Sequence, residues 1–383
     1  MYLQTRCTTW SAQQLDRAKS LLSAARRPVA IFGWEAAREP GIEGPARRFV
    51  ESWRLPFMTL PKSKGVVPED HALFLGTLEM AGTDHLFAAL QDCDVVVMVG
   101  VDAVEFDRFW DFPCEVLSLA SSSRIDGYHP IHIGLLGHLG QALLELSRQP
   151  EPGKWLEESI GALHFRPVVD TESSAQLSRQ RAIKILRELL PRETILTSDT
   201  GTNKSITGQV WRAYLPLSYL VSNGLSTMGY ALPSAIGAKM VFPDRPVLAV
   251  MGDGGFLMTL GELATAVRQK VAITAVVFVD RALDAIRKIQ VKRGLPVHGT
   301  EFELGDITVV ASAFGWNALL VRSEADLRAV AADLSSVTCP TLVQVDLQRT
   351  ARDADRDLNP EESETLTLAV GLESPATCNA DDL

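Results

Sequence analysis

Val247-Leu248-Ala249-Val250-Met251-Gly252-Asp253-Gly254-Gly255-Phe256 is the stretch whose reading decides the fold. Its apolar opening is too short for a helix and reads as a buried strand. The strand runs directly into a glycine turn that carries an acidic residue. A second apolar run, 272–278, closes on Val279-Asp280. If the two strands are parallel neighbours, both carboxylates reach the same carboxyl edge, where open α/β sheets receive their ligands. The glycines permit a tight turn and bring backbone N–H groups near phosphate oxygens. Asp253, Asp280, the backbone carbonyl of Ala282, two diphosphate oxygens and a water would complete the octahedral oxygen shell that Mg²⁺ favours. Gly252-Asp253-Gly254 alone is an ordinary turn; the spacing and the flanking strands carry the metal reading.

Working outward, apolar strands alternate with amphipathic helices on both sides of this stretch. Residues 176–348 offer strands at 194–198, 247–251, 272–278 and 341–345, with helices at 176–190, 231–241, 259–269, 305–314 and 324–335. Residues 8–148 offer strands at 28–33, 57–60, 95–100 and 115–119, with helices at 12–25, 42–53, 84–91 and 137–147. Strands that are apolar throughout, separated by helices, imply a parallel sheet covered on both faces. The expected fold is therefore α/β, with two doubly wound, Rossmann-like parallel-sheet domains. Between them, 149–175 reads as a proline-containing polar linker, and 349–383 as an acidic, disordered tail.

Composition narrows the function. The formal charge is −10, but residues 350–383 alone hold nine acidic and two basic side chains, so the folded body is near neutral and no nucleic-acid partner is expected. No apolar run approaches the roughly 20 residues of a membrane span. The five cysteines are scattered, without metal-ligand spacing, which points to reduced thiols and a cytoplasmic location. His129, His132 and His138 lie close in sequence and read as surface or packing residues rather than a metal cluster.

Three segments then carry a resemblance. Ser222-Asn223-Gly224-Leu225-Ser226-Thr227-Met228-Gly229-Tyr230-Ala231 and the residues following it to Ala238 form the first. Gly252-Asp253-Gly254-Gly255-Phe256-Leu257-Met258-Thr259 is the second, and Glu262-Leu263-Ala264-Thr265-Ala266 the third. In this order they resemble the thiamine-diphosphate enzymes of the acetolactate synthase and 2-oxo acid decarboxylase group. The likeness covers nearly all of residues 8–348, as central and diphosphate-binding domains.

The resemblance implies roles residue by residue. Asp253, Asp280 and the carbonyl of Ala282 match the Mg²⁺ ligands; many relatives carry asparagine where Asp280 stands. Met228 matches the apolar residue under the bend of the cofactor, and the carbonyl of Ser226 the acceptor for its amine. Asp199, Thr200, Gly201 and Thr202 match the loop on the far side of the diphosphate. Gly252, Gly254, Gly255 and Leu283 complete the expected cofactor site. Ala285, Ile286 and Gln290 should line the substrate pocket. Ala285-Ile286 is apolar where decarboxylating relatives place a glutamate, which favours carboligation. Arg287, Lys288, Lys292 and Arg293 read as a solvated helix face. The strand end Gly100-Val101-Asp102-Ala103-Val104-Glu105-Phe106-Asp107 lacks the arginine of flavin-binding relatives, so FAD is not expected.

Such enzymes also use a pyrimidine-binding domain that supplies an activating glutamate. It has no counterpart in this sequence, and Glu35 and Glu39 lie on a central-domain loop. The expectation is a large subunit of a split enzyme that decarboxylates a small 2-oxo acid and transfers the acyl carbanion to an acceptor. A separate pyrimidine-binding-domain subunit, in a heterotetramer, would complete it. The alternatives are a simple decarboxylase, a truncated product, or an inactive cofactor-binding or regulatory subunit.

Overall fold

A computed structural model describes residues 10–78, 83–102, 105, 113–121, 131–148, 150 and 177–347. The expected linker apart from Pro150, the expected tail, His129, and most of the 103–107 strand end lie outside the described residues.

The first unit begins with α1 (Ala12–Ala24), whose N-cap Ser11 exchanges hydrogen bonds with Gln14 in a capping box. Then follow β1 (Pro28–Phe32), the short α2 (Trp34–Arg38), α3 (Glu43–Ser52), β2 (Phe57–Thr59), β3 (Phe74–Thr77), α4 (Asp84–Gln91), β4 (Val95–Val99), β5 (Glu115–Ala120), β6 (Ile133–Leu136) and α5 (Leu139–Leu146). The six strands are parallel, in the order β3-β2-β1-β4-β5-β6.

The second unit runs through α6 (Arg179–Leu189), β7 (Ile195–Ser198), α7 (Thr202–Val210), β8 (Tyr219–Val221), α8 (Ala231–Val241), β9 (Val247–Gly252), α9 (Asp253–Met258), α10 (Glu262–Arg268) and β10 (Thr274–Val279). It closes with α11 (Asp284–Lys292), α12 (Ile307–Ala313), β11 (Asn317–Val321), α13 (Glu324–Ala331) and β12 (Thr341–Asp346). Its strand order is β11-β12-β10-β9-β7-β8, again all parallel.

Alternation along each central strand explains the double winding. In β9, Leu248 and Val250 join a core with Ile183, Leu186 and Leu327, while Val247, Ala249 and Met251 join one with Ala235, Leu263 and Ile307. Each face is thus roofed by helices, and the strand must be apolar throughout. The same division holds for β1, with Ala30 and Phe32 on one side and Val29 and Ile31 on the other.

Eight strands were legible as apolar runs. The four that were not, β3, β6, β8 and β11, are the edges of the two sheets. Edge strands are covered less completely, so β11 and β6 mix exposed, half-buried and buried positions and lose the continuous apolar signal. The helix expected at 259–269 also needs correction. It is present as α10 but starts only at Glu262, and a separate short helix, α9, opens before it at Asp253 itself. Gly252, in extended conformation, serves as N-cap, and an acidic residue in the first turn suits the helix dipole.

The two units meet along a tight seam. Lys64, from the loop after β2, donates to Glu69 at 2.8 Å, to Thr77 at 3.0 Å and to the carbonyl of Gly208 in α7 at 2.8 Å. Glu69 in turn accepts from the amide of Ala213 at 2.8 Å. Gly65, at φ +84°, is pressed so closely on the Leu215 backbone that a Cβ would lie 2.2 Å from its carbonyl oxygen.

Candidate functional site

β9 and β10 are parallel neighbours, with Gly252 paired to Phe278. That register delivers Asp253 and Asp280 to one edge of the sheet. Asp253 is 1% exposed and Asp280 8%. Oδ2 of Asp253 accepts from the amides of Asp280 at 3.1 Å and Arg281 at 2.6 Å, and Oδ1 accepts from the amide of Gly254 at 2.8 Å. Burial first, and then the charge of Asp280, push the Asp253 carboxyl up to about 6. Arg281 turns the chain at φ +58°, and its guanidinium lies 3.3 Å from Asp346. Ala282 follows, buried, with its amide on Oδ1 of Asp280 at 3.3 Å.

The β7 and β9 loops face each other at the point where the chain reverses its direction of travel across the sheet, the usual ligand crevice of such folds. Asp199, 1% exposed, accepts from the amides of Thr200 at 2.8 Å, Gly229 at 3.0 Å and Tyr230 at 3.4 Å. Burial raises its carboxyl above the usual range, against those three donors. Asp199 therefore ties the Met228 segment to the 199–202 loop. Thr202 donates to Asp284 at 3.2 Å, and Gly201 lies beside Ala285. Ser226, at φ +48°, receives Lys204 on its hydroxyl at 3.0 Å.

Two glycines make the close approach possible. A Cβ on Gly254 would lie 2.7 Å from Cδ2 of Leu283 and 3.4 Å from Cε of Met228, and one on Gly255 would lie 2.3 Å from Oδ2 of Asp199. Met228 thus stands over the Gly254 turn, with Leu283 beside it. The structure brings together Asp199 to Thr202, Met228, Gly252 to Gly255, Asp280, Ala282, Leu283 and Ala285. Ile286 is exposed at the rim. Gln290 is turned to the 298–300 loop, donating to the His298 carbonyl at 3.0 Å and accepting from Thr300 at 3.2 Å. Arg287 and Lys288 are not simply a solvated face: they lie 3.2 Å and 3.1 Å from Asp284.

Further polar residues at this edge escaped the sequence reading. Oδ1 of Asn203 and both side-chain polar atoms of Asn223 are buried without a hydrogen-bond partner among the described residues. Buried amides without partners are costly, so they suit a site that takes a polar ligand. Burial works against the Asp284 charge, but Lys288, Arg179 and Arg287 together hold its carboxyl below the usual range. Arg179, at the start of α6, reaches Asp280 at 2.5 Å across 101 positions of sequence. That separation leaves no local signal for it.

The glycine cradle, the paired buried carboxylates and the unpartnered amides fit a metal-held diphosphate. The carboxylates suit a hard divalent cation. Among the described residues, no group of three or more His, Cys, Asp or Glu gathers as a metal cluster, here or elsewhere; the candidate site offers a pair of carboxylates. His132 accepts the Val116 amide on Nδ1 at 3.0 Å, and His138 precedes α5 without capping it through its side chain.

Comparison with known proteins gives two family matches. Residues 15–146 match the model of the thiamine pyrophosphate enzyme central domain, and residues 199–345 that of the C-terminal TPP binding domain. Acetolactate synthase of Bacillus subtilis (strain 168) is 27% identical over 344 residues, covering 86% of this chain and 60% of the relative. A probable acetolactate synthase large subunit of Methanocaldococcus jannaschii is 30% identical over 295 residues, covering 72% and 50%. Sulfoacetaldehyde acetyltransferase of Castellaniella defragrans is 27% identical over 316 residues, covering 73% and 53%. The chain spans between half and about three-fifths of the length of these relatives.

Proposed function

We propose, from the premise that this chain belongs to the thiamine pyrophosphate enzyme family and carries its central and C-terminal TPP-binding domains, that it is the diphosphate-holding part of an acetolactate-synthase-like carboligase. The observation that carries this reading is the pairing of Asp253 and Asp280 at the ends of adjacent strands, above a glycine turn. Asp253, Asp280 and the Ala282 carbonyl would hold Mg²⁺, and the amides of 252–255 with the 199–202 loop would flank the diphosphate.

Bound there, thiamine diphosphate supplies a nucleophilic carbon and an electron sink for decarboxylating a 2-oxo acid. The chain's own residues orient and enclose it. Asp199 fixes the Gly229 and Tyr230 amides and so holds Met228 over the turn. The Ser226 carbonyl, in that segment, would accept the cofactor's amine; its hydroxyl is tethered by Lys204. The apolar Ala285 and Ile286 offer no proton donor at the pocket, which supports transfer of the acyl carbanion to an acceptor over release of an aldehyde.

The activating glutamate comes, in this proposal, from a separate pyrimidine-binding subunit of a heterotetramer. Leu225, Met258 and Ile286 are exposed apolar side chains close to the Met228 segment and the mouth of the site, suited to being covered by such a partner. The names of two relatives, probable acetolactate synthase large subunits, imply a separate small subunit in those proteins. No helix among the described residues is long and apolar enough to cross a membrane; a cytoplasmic location is part of the proposal.

Flavin has no place in this reading. The first sheet has the dinucleotide-type strand order, and its crevice lies between β1 and β4. Glu105 occupies that crevice, accepting from the amides of Trp34 at 2.7 Å and Asp102 at 3.1 Å. Glu39 takes the amides of Leu139 at 2.8 Å and Gly140 at 2.6 Å, and Glu35 that of Ser121 at 2.7 Å. Internal carboxylates already take these amides, which supports the reading without FAD.

The test is calorimetric titration of the purified chain with thiamine diphosphate and Mg²⁺, followed by pyruvate consumption with and without the candidate subunit. Binding by the chain alone, with turnover only in the mixture, is expected. Full turnover by the chain alone would overturn the two-subunit reading, and no metal-dependent binding would overturn the cofactor reading.

A further inference from the structure

Arg179 is the charged group at the candidate metal site for which the proposed reaction has no use. Its guanidinium donates to Oδ2 of Asp280 at 2.5 Å and lies 4.0 Å from Asp284. It is 14% exposed, lies 5.9 Å from the Phe278 ring centre, and its Nε is buried without a partner among the described residues. The helix that carries it is anchored by Ser178, whose side chain accepts the Arg181 amide at 3.1 Å. Asp284 has Arg287 and Lys288 as cations of its own. Among the described residues, Arg179 is the ion-pair partner that Asp280 has.

The two oxygens of Asp280 are therefore divided. Oδ2 faces Arg179, whereas among the described residues Oδ1 meets only the Ala282 amide, at 3.3 Å. Asp253, Asp280 and Arg179 together carry one negative charge, not two. A dication placed beside them gains one carboxylate's worth of attraction less than it would from the bare pair. A diphosphate restores the deficit, because it brings its own negative charge.

We propose that Arg179 is a counter-ion built into the site, which makes metal binding conditional on the diphosphate. This rests on the cofactor reading above. The pair also fixes the Asp280 carboxylate so that Oδ1 is the oxygen presented to the metal, the ordinary work of a partner behind a metal ligand. The free chain is then guarded against holding a divalent cation without its cofactor.

The experiment uses the full chain and measures Mn²⁺ binding by electron paramagnetic resonance, with and without inorganic diphosphate. Wild type should bind Mn²⁺ weakly alone and much more tightly with diphosphate. Arg179→Met should tighten Mn²⁺ binding in the absence of diphosphate by about tenfold and shrink the enhancement by diphosphate by a similar factor. Arg179→Met combined with Asp280→Asn restores a single negative charge and should return Mn²⁺-alone affinity towards wild type. Arg179→Lys, which keeps the charge in case Met disturbs the fold, should retain the diphosphate enhancement. Equal weakening under both conditions in Arg179→Met, with no recovery in the double variant, would mean a structural role only and overturn the proposal. Wild type that binds no Mn²⁺ even with diphosphate would overturn the cofactor reading itself.

Discussion

The amide of Asp280 donates to a carboxylate oxygen of Asp253 at 3.1 Å, so the two acids expected to share a cation are coupled through the backbone as well as by charge. Asp253 is consequently both a candidate ligand and the clamp that shapes the turn after β10. Two of its three amide donors fill Oδ2 and the third takes one lone pair of Oδ1, so Oδ1 is the oxygen left with a lone pair for a cation, on a carboxylate held firmly in place.

Asp253→Ala removes a charge from the cation and an acceptor from three amides. Metal-dependent binding of thiamine diphosphate should fall by at least about a hundredfold in calorimetry, equivalent to about 3 kcal/mol. Asp253→Asn keeps an amide acceptor and should melt closer to wild type while still losing the metal. Retained tight binding in both would remove Asp253 from the ligand set.

Gly255→Ala places a methyl group 2.3 Å from Oδ2 of Asp199. Asp199 must then shift and release Gly229 or Tyr230. A stability loss of about 1–3 kcal/mol is expected from overpacking, measured by urea unfolding, with weaker cofactor binding alongside. An unchanged midpoint and affinity would show that the Asp199 clamp is dispensable.

Lys64 and Glu69 are 1% and 0% exposed, and Lys64→Met leaves the carboxylate without its cation inside the seam. Breaking a buried pair from one side costs about 3–5 kcal/mol, so the urea midpoint should drop sharply. Lys64→Met with Glu69→Gln should recover part of the loss. A midpoint within error of wild type for the single variant would contradict the picture of a dry seam.

Glu105 gives the fold a pH dependence. Burial, opposed by the amides of Trp34 and Asp102, pushes its carboxyl up to about 7 from 4.5. A carboxyl that holds its proton more tightly when folded stabilises the fold at low pH. That contribution is lost as pH rises from the unfolded value through the folded one, by at most roughly 3 kcal/mol. Wild type should therefore lose stability between pH 5 and pH 8, and Glu105→Gln should lose less. Parallel melting curves for the two proteins across that range would rule the assignment out.

The legible parts of this protein were those in which local sequence and final environment agree. Strand β9 is apolar because both its faces are covered, and Gly252-Asp253-Gly254-Gly255 is small because Asp199, Leu283 and Met228 crowd it. Asp280 could be read at a strand end because β10 runs apolar up to Val279. Where burial is partial, as at β6 and β11, the pattern dissolves. Where partners come from distant elements, the sequence holds no trace of them. Arg179 meets Asp280, and Lys64 meets Gly208, only because two separate windings of the chain bring them together. Asn203 and Lys204 lie just beyond the expected 199–202 loop; the helix after that loop went unread, and with it the side chains that its first turn delivers to the site.

The closeness of Gly65 to the Leu215 backbone has a bearing on protein engineering. A chimaera that grafts a foreign central module onto this cofactor-holding half would inherit a side chain wherever the donor lacks glycine at that point, and with it a wedge between the halves. Exchange between relatives should therefore succeed only when the crossover carries the 64–69 and 208–215 segments as a matched set.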